Sequence, residues 1–279
     1  MAVIMFGVAL DLRLADFLRL TKVPKPAIVG VVSQFLVLPL LTFLLVLVIE
    51  PRPSIAMGMM IVAACPGGNV SNFMTSLARG NVALSVSLTA ISTVAAIFMT
   101  PFNLSFWASL YPPTAAILTA VSIDTFEVFQ TIVLILAIPL TLGMLVRHYY
   151  PKTAVILMKW LKPISIIIFI AFVLVAFSNN ISIFLEYFQF MVLIVFVHNA
   201  LAFTCGYSMA TIFGLSDDDR KSITIETGIQ NSGLGLLLIF SFFHGLGGMA
   251  MIAAWWGIWH IISGLTLGML WSKYTLQSA

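Results

Sequence analysis

The chain has 279 residues, of which 61% are hydrophobic and 8% charged, with a formal net charge of +3. A soluble domain carries about 25% charged residues, so this composition excludes an apolar core wrapped in a polar shell, and a mean hydropathy of +1.11 puts the chain in a lipid bilayer. The basic residues fall in short loops and not in runs, which excludes a nucleic-acid surface, and without a period-2 pattern punctuated by turns the spanning elements are helices.

The first element is MAVIMFGVAL, ten apolar residues before Asp11, about half of the roughly 20 that a spanning helix needs. It lacks the basic region and cleavage site of a signal peptide, so the chain is expected to begin inside a helix. Spanning or half-spanning segments follow at 27–49, 54–79, 82–109, 123–146, 163–179, 182–213, 221–242 and 246–271. If the chain alternates sides from the loop after the first fragment, Arg13, Arg19, Lys22, Lys25, Arg79, Arg147, Lys152, Lys159, Lys162, Arg220, Lys221 and Lys273 share one side. Of the thirteen basic residues only Arg52 falls opposite. The positive-inside rule then makes the carboxyl terminus cytoplasmic. Cys65 and Cys205 lie in apolar stretches and read as small core residues, with no disulfide framework.

Two segments are interrupted. CPGGNVSN (Cys65 to Asn72) and GIQNSG (Gly228 to Gly233) lie about 160 residues apart, and paired interrupted helices in corresponding positions mark inverted-repeat transporters with a midplane binding site. Subtracting the same offset leaves 123–146 with no counterpart. The reading is therefore a five-plus-five architecture lacking its first helix and part of its second, through start site, truncation or biology. Pro66 removes a backbone donor, and Gly67 and Gly68 permit non-helical dihedrals. Asn69 or Ser71 is placed to cap the half-helix that resumes. Freed carbonyls and Asn, Ser and Thr oxygens suit a hard cation, while the N-terminus of a half-helix attracts an anion.

Glu226 is the acid that stands apart. Asp11, Asp16, Glu50, Asp124, Glu127, Glu186 and the run Asp217, Asp218, Asp219 fall in loops or near helix ends. Glu226 lies immediately before the second break, about 8 Å past Lys221 at 1.5 Å per residue. It reads either as a carboxylate that snorkels or pairs with Arg220, or as an intramembrane functional group. Beside Gln230, Asn231 and Ser232 it suggests a cation ligand.

CPGGNVSNFMTSLARGNVALSVSLTAIST (Cys65 to Thr93) with IETGIQNSGLGLLL (Ile225 to Leu238) resembles the bile acid:sodium symporter family, with segment order matching from residue 1 to about 272. The resemblance implies an all-α polytopic membrane protein of two inverted five-helix repeats, with two broken, crossing helices in a core domain and a panel domain against which it moves. On this chain it implies a partial panel helix and cytoplasmic loop at 1–26, core at 27–110, panel helices at 123–180 and core at 181–272. It implies two co-transported sodium ions, the first held by Ser71, Asn72, Ser85, Thr89 and Glu226. The second would be held by Gln34, Glu226, Gln230 and main-chain oxygens of Thr227 and Ile229.

For substrate the resemblance implies Asn69, Asn231 and His260 around a central cavity. Met57, Met59, Met60 and Phe73 read as wall or as ordinary packing, and His198 as packing. The implied function is sodium-coupled symport of a small organic anion, bile-acid-like or a small carboxylate such as a pantothenate-type acid, in the cell (inner) membrane, with no obligate protein partner evident. A non-coupled channel or uniporter, a binding-only sensor and an arsenite-type exporter, the last because Cys65 flanks a break, remain as alternatives. The chain has no HExxH, no GxSxG and no paired intramembrane carboxylates, so an enzyme is not expected.

Overall fold

Lipid offers a backbone no hydrogen-bond partner, so each spanning segment must satisfy its own amides or have them met by a neighbour. The structure, a computed structural model, describes residues 2–13, 15–16, 18, 24–120, 125–179, 181–243 and 245–277. These form helices α1 (Ala2–Ala9), α2 (Pro24–Ile49), α3 (Pro53–Ala64), α4 (Val70–Leu77), α5 (Val82–Leu110), α6 (Pro112–Ala120), α7 (Thr125–Tyr149), α8 (Pro151–Asn179), α9 (Ile181–Ile212), α10 (Asp217–Gly228), α11 (Ser232–Phe242) and α12 (Gly247–Gln277), with no named strand among the described residues. Among those residues five helices, α2, α5, α8, α9 and α12, are long and apolar enough to cross a membrane. Proline, whose missing N–H is harmless in the first helical turn, opens α2, α3, α6 and α8. Asn81 caps α5 by accepting from the Leu84 amide at 3.0 Å, and Ser216 caps α10 ahead of three aspartates in its first turn.

Most expected segments lie within these helices. Segment 163–179 is longer than expected: α8 starts at Pro151, so Lys152, Lys159 and Lys162 stand on a helix and not in a loop. Long lysine stems reach along a helix toward water, and a charge therefore does not mark its end. Helix α6 had no signal of its own. Arg19, Lys22 and Asp124 lie outside the described residues.

The core is built on α3, α5, α11 and α12, with Met57, Met59, Ile61, Leu236, Ile239, Met251, Ile252 and Trp256 buried together. Met57, Met59 and Met60 are thus core residues and not cavity wall, and Phe73 is exposed. Helix α12 packs on α3 and α4, with Gly58 against the Met249 backbone and Gly264 against Met74. Both cysteines are free and buried.

The two interruptions meet. Chain 65–69, between α3 and α4, runs antiparallel to chain 229–231, between α10 and α11, in an isolated β-bridge of Gly67 with Gln230. The Gly68 amide donates to Ile229 O and the Asn231 amide to Pro66 O, both at 2.8 Å. Neighbouring helices satisfy carbonyls around the breaks: Thr100 Oγ1 donates to Ala64 O at 2.7 Å, and Asn199 Nδ2 donates to Gly228 O at 2.8 Å. Asn199 Oδ1 in turn accepts from Ser263 Oγ at 2.6 Å.

Replacing Asn199 with leucine leaves the buried Gly228 carbonyl without its side-chain donor. Asn199→Leu is expected to destabilise by about 1–3 kcal/mol. Thr204→Ala, on an exposed face of the same helix, should stay within about 0.5 kcal/mol. Denaturation in detergent, with both variants compared to the parent, measures the difference.

Candidate functional site

Glu226 enters the crossing from α10, whose last helical residue is Gly228. Its side chain is buried, 3% exposed, and its Oε1 is so close to Gly67 Cα that a methyl group there would collide with it. Glu226 Oε2 accepts from Ser71 Oγ at 2.6 Å and lies 3.3 Å from Ser85 Oγ, while Oε1 accepts from Thr89 Oγ1 at 2.8 Å. Asn72 Oδ1 lies 2.9 Å from Ser85 Oγ and 3.4 Å from Thr89 Oγ1. The expected first set of Ser71, Asn72, Ser85, Thr89 and Glu226 is therefore one cluster, supplied by α4, α5 and α10. Among the described residues, all three groups bonded to the carboxylate are hydroxyls. Arg220 instead reaches Leu215 O and lies over the Tyr207 ring, so it does not neutralise Glu226.

Protons are short in this cluster. Adding Ser71 Oγ to Thr89 Oγ1 (3.4 Å), Thr89 Oγ1 to Ser85 O (3.0 Å) and Thr75 Oγ1 to Ser85 Oγ (3.3 Å) makes eight oxygen–oxygen contacts. Four hydroxyl protons, on Ser71, Thr75, Ser85 and Thr89, and at most two more from the Asn72 amide if it turns its N–H groups inward, are there to fill them. With the carboxylate ionised, at least two of the eight contacts still set lone pair against lone pair, an arrangement that a hard, oxygen-seeking cation relieves.

A second polar group lies around Gln34, which stands in a π-helical turn, Ser33–Val37, within α2. Such turns often occur at functional sites. Gln34 Nε2 donates to Cys65 O and to Gln230 Oε1, both at 2.8 Å, and Gln230 Nε2 donates to Thr227 O at 2.6 Å. Gln34, Gln230 and the Thr227 carbonyl of the expected second set are thus together. The Ile229 carbonyl is engaged in the crossing with Gly68, and no hydrogen bond joins the Glu226 carboxylate to either glutamine among the described residues.

On the other face of the crossing is a cavity of about 570 Å³. Asn69, Asn231 and His260 all line it, with Gly7, Val8 and Asp11 on one side and Met158, Ser165, Ile166 and Ile170 of α8 beside them. Asn231 caps α11 through the Leu234 amide at 3.0 Å. Asn69 stands at the start of α4 but makes no capping bond, and the Ser71 hydroxyl is drawn to Glu226, so neither expected cap forms. His260 is buried with Nδ1 unpartnered. His198 instead packs in the core, 2.8 Å from Thr42 Oγ1 and edge-on to Trp256. Neither cysteine lines the cavity.

Sequence reasoning missed Asn199, Thr100, Ser263, Thr75 and the Cys65 carbonyl. The available signal was a lone Asn or Thr in an apolar helix, where a polar side chain needs a partner.

Interrupted helices that cross beside an oxygen-lined cluster, with a cavity lined by both breaks, are the arrangement of a membrane transporter. The model of the Sodium Bile acid symporter family matches residues 1–187. An uncharacterized sodium-dependent transporter of Bacillus subtilis is 33% identical over 273 residues, covering 98% of this chain and 82% of that protein. Probable chloroplastic sodium/metabolite cotransporters of Arabidopsis thaliana and Oryza sativa are 30% and 33% identical over 277 and 271 residues. These alignments take in 98% and 96% of this chain, which spans 66% and 63% of the two plant proteins. The chain belongs to the sodium bile acid symporter family.

Gly67→Ala tests how closely the crossing and the carboxylate fit. The added methyl group has to displace the Glu226 carboxylate from its hydroxyls, so the damage should fall on the cluster before the fold. Sodium affinity, read from sodium-dependent thermal stabilisation, should drop about tenfold, equivalent to about 1.4 kcal/mol. In sodium-free buffer Tm should change less than for Asn199→Leu.

Proposed function

We propose that the chain is a sodium-coupled symporter that carries a small organic anion across a cell (inner) membrane by alternating access, with its carboxyl terminus cytoplasmic. The observation that carries this reading is the proton-poor oxygen cluster around Glu226, a buried carboxylate to which, among the described residues, only hydroxyls donate. The first sodium ion binds Ser71, Asn72, Ser85, Thr89 and Glu226. The second binds Gln34, Glu226, Gln230 and main-chain oxygens of Thr227 and Ile229, with the two glutamine amides turning to present oxygen. Cys65 O, already facing Gln34, joins that set.

The anion occupies the cavity beside Asn69, Asn231 and His260. Two half-helices, α4 and α11, begin at this wall, and their exposed amides and dipoles favour a carboxylate. No lysine or arginine among the described residues lines the cavity, so the charge that draws the anion comes from these helix starts and from the sodium ions behind them. Gln230 belongs to both the amide pair and the cavity wall, which joins the two ligands through one residue.

The division into two moving parts is supported in part by the packing, although α5 also packs on α7 and α12 on α8 across the boundary. Helix α1 packs on α7 and α8, whereas α3, α4, α5 and α9 to α12 pack mainly on one another. The cavity has α1 and α8 on one side and the crossing on the other. Residues 1–26 and 123–180 then form the panel, and 27–110 and 181–272 the core, in two inverted repeats.

Glu226→Gln should abolish sodium-dependent thermal stabilisation, while Gln34→Ala should leave the first site and part of the effect. Equal stabilisation of the parent and the Glu226 variant by sodium over potassium would contradict the assignment. Transport has its own signature: two sodium ions with one monoanion move one positive charge, and 100 mV acting on it is worth about 2.3 kcal/mol. In proteoliposomes, uptake of a labelled small carboxylate should rise with an inside-negative potential and with inward sodium. Uptake indifferent to both would favour a uniporter or channel.

A further inference from the structure

Away from the crossing, the chain after α1, the last turns of α7 and the first turns of α8 line another cavity, of about 1090 Å³. Four basic side chains stand in its wall: Arg13 after α1, Arg147 and His148 in the last turn of α7, and Lys152 in the first turn of α8. Among the described residues no carboxylate lines it. Asp16 accepts the Arg13 main-chain amide at 3.1 Å, and Asp11 lines the cavity at the crossing instead. Arg13, Arg147 and Lys152 have no ion-pair partner among the described residues.

Like charges gathered without a counter-charge repel, and the helix ends account for only part of this set. The carboxyl end of a helix favours cations, which suits Arg147 and His148 on α7. Lys152 has no such reason to be here, because it stands at the positive end of the α8 dipole, where a cation is disfavoured. Arg147 is also incompletely used: its Nη1 is buried and has no hydrogen-bond partner, and a buried donor left unpaired costs stability. The guanidinium fork matches the oxygens of a phosphate group. An anion in the cavity would answer all three observations.

The rest of the wall selects among anions. Leu12, Met144, Leu145, Val155 and Ile156 line it, and Leu145, Val155 and Ile156 are exposed. Trp160, one turn beyond Ile156 on the same face of α8, is exposed as well, as are Tyr149 and Tyr150 at the turn between the helices. Exposed tryptophan and tyrosine beside cations are the composition of a membrane–water interface. A soluble anion gains nothing from such a wall, whereas a phosphate that carries acyl chains uses both halves of it.

We propose that this cavity binds an anionic phospholipid, with its phosphate on Arg13, Arg147 and Lys152 and its acyl chains along Leu145, Val155 and Ile156. The loop charges place this end of α7 and α8 on the cytoplasmic side, where the leaflet surface is negative and basic pockets between helices collect such headgroups. Only Tyr150 separates α7 from α8, and the lipid fastens their turn to the chain after α1. It thereby ties together the three helices of the proposed panel, so the stability of the carrier depends on the composition of its leaflet. The proposal needs α7 and α8 to lie in a bilayer, but not the assignment of the Glu226 cluster to sodium.

The test follows Tm of the 279-residue chain in dodecyl maltoside during titration with dioleoyl phosphatidylglycerol, with dioleoyl phosphatidylcholine and with inorganic phosphate. A ligand of the native state stabilises it saturably, and only phosphatidylglycerol should do so. Each basic residue is worth about a fivefold change in affinity for an anionic lipid surface, so Arg147→Gln/Lys152→Gln should raise the half-saturating phosphatidylglycerol concentration at least tenfold. Lys273→Gln removes a positive charge on the same side of the membrane but away from the cavity, and should leave that concentration within about twofold. If the double variant does not fold, Lys152→Gln alone, at an exposed position, should raise it about threefold or more. Equal stabilisation by phosphatidylcholine would mean apolar filling only, and stabilisation by inorganic phosphate alone would mean a soluble anion; either overturns the lipid site. A variant that answers phosphatidylglycerol as the parent does also overturns it. Glu226→Gln should keep the full response to phosphatidylglycerol whether or not it loses its response to sodium, which separates this proposal from the sodium assignment.

Discussion

The antiparallel pairing of the two helix breaks is the constraint on which the rest depends. An interrupted helix in lipid frees amides and carbonyls that no water can satisfy, at several kcal/mol each. Here the breaks answer one another: Pro66 and Gly68 on one chain exchange main-chain bonds with Asn231 and Ile229 on the other. Neither break is tenable without its partner, which accounts for two distant interruptions in one chain. The remaining carbonyls draw in Thr100, Asn199 and Gln34, and so fix the positions of α5, α9 and α2 around the crossing. Gly67 is tied to this geometry because nothing larger fits between the crossing and the Glu226 carboxylate.

The same pairing sets the electrostatics. It brings a carboxylate to a place where the hydrogen-bond donors to it are neutral hydroxyls, and burying an unpaired charge is costly. The cluster has more oxygen contacts than protons to fill them, which is the basis for proposing that a cation completes it. Residues 229–231 line the cavity and follow directly on Glu226, so in the proposed arrangement the ion and the anion are separated by little more than this stretch of backbone.

The breaks were legible in the sequence, since a proline, paired glycines and a carboxylate each cost stability inside an apolar run, and their coincidence at two points marks helices that stop and restart. The individual members of the Glu226 cluster were not legible from residue type. Ser87 and Thr93 are the same kinds of residue as Ser85 and Thr89 on the same helix, yet they bond back to Ala83 O and Thr89 O within it. Family resemblance, and not spacing, singled out the pair that faces Glu226. Thr100 and Asn199 were invisible on different grounds: each serves a carbonyl 36 or 29 residues away, and that need exists only once the helices are in place. The start of α8 is hidden because lysines read as helix ends, and the π-turn around Gln34 leaves no mark in an apolar run.

Helix α12 lies unbroken along both α3 and α4, close enough that Gly58 meets the Met249 backbone and Gly264 meets Met74. It therefore splints the two halves of the interrupted helix, as a plate holds a fractured bone. The discontinuity is chemical and not mechanical: it exposes polar atoms without creating a joint. Any large displacement must then carry α3, α4 and α12 together as one rigid piece, with bending confined to the loops that tie this piece to its surroundings.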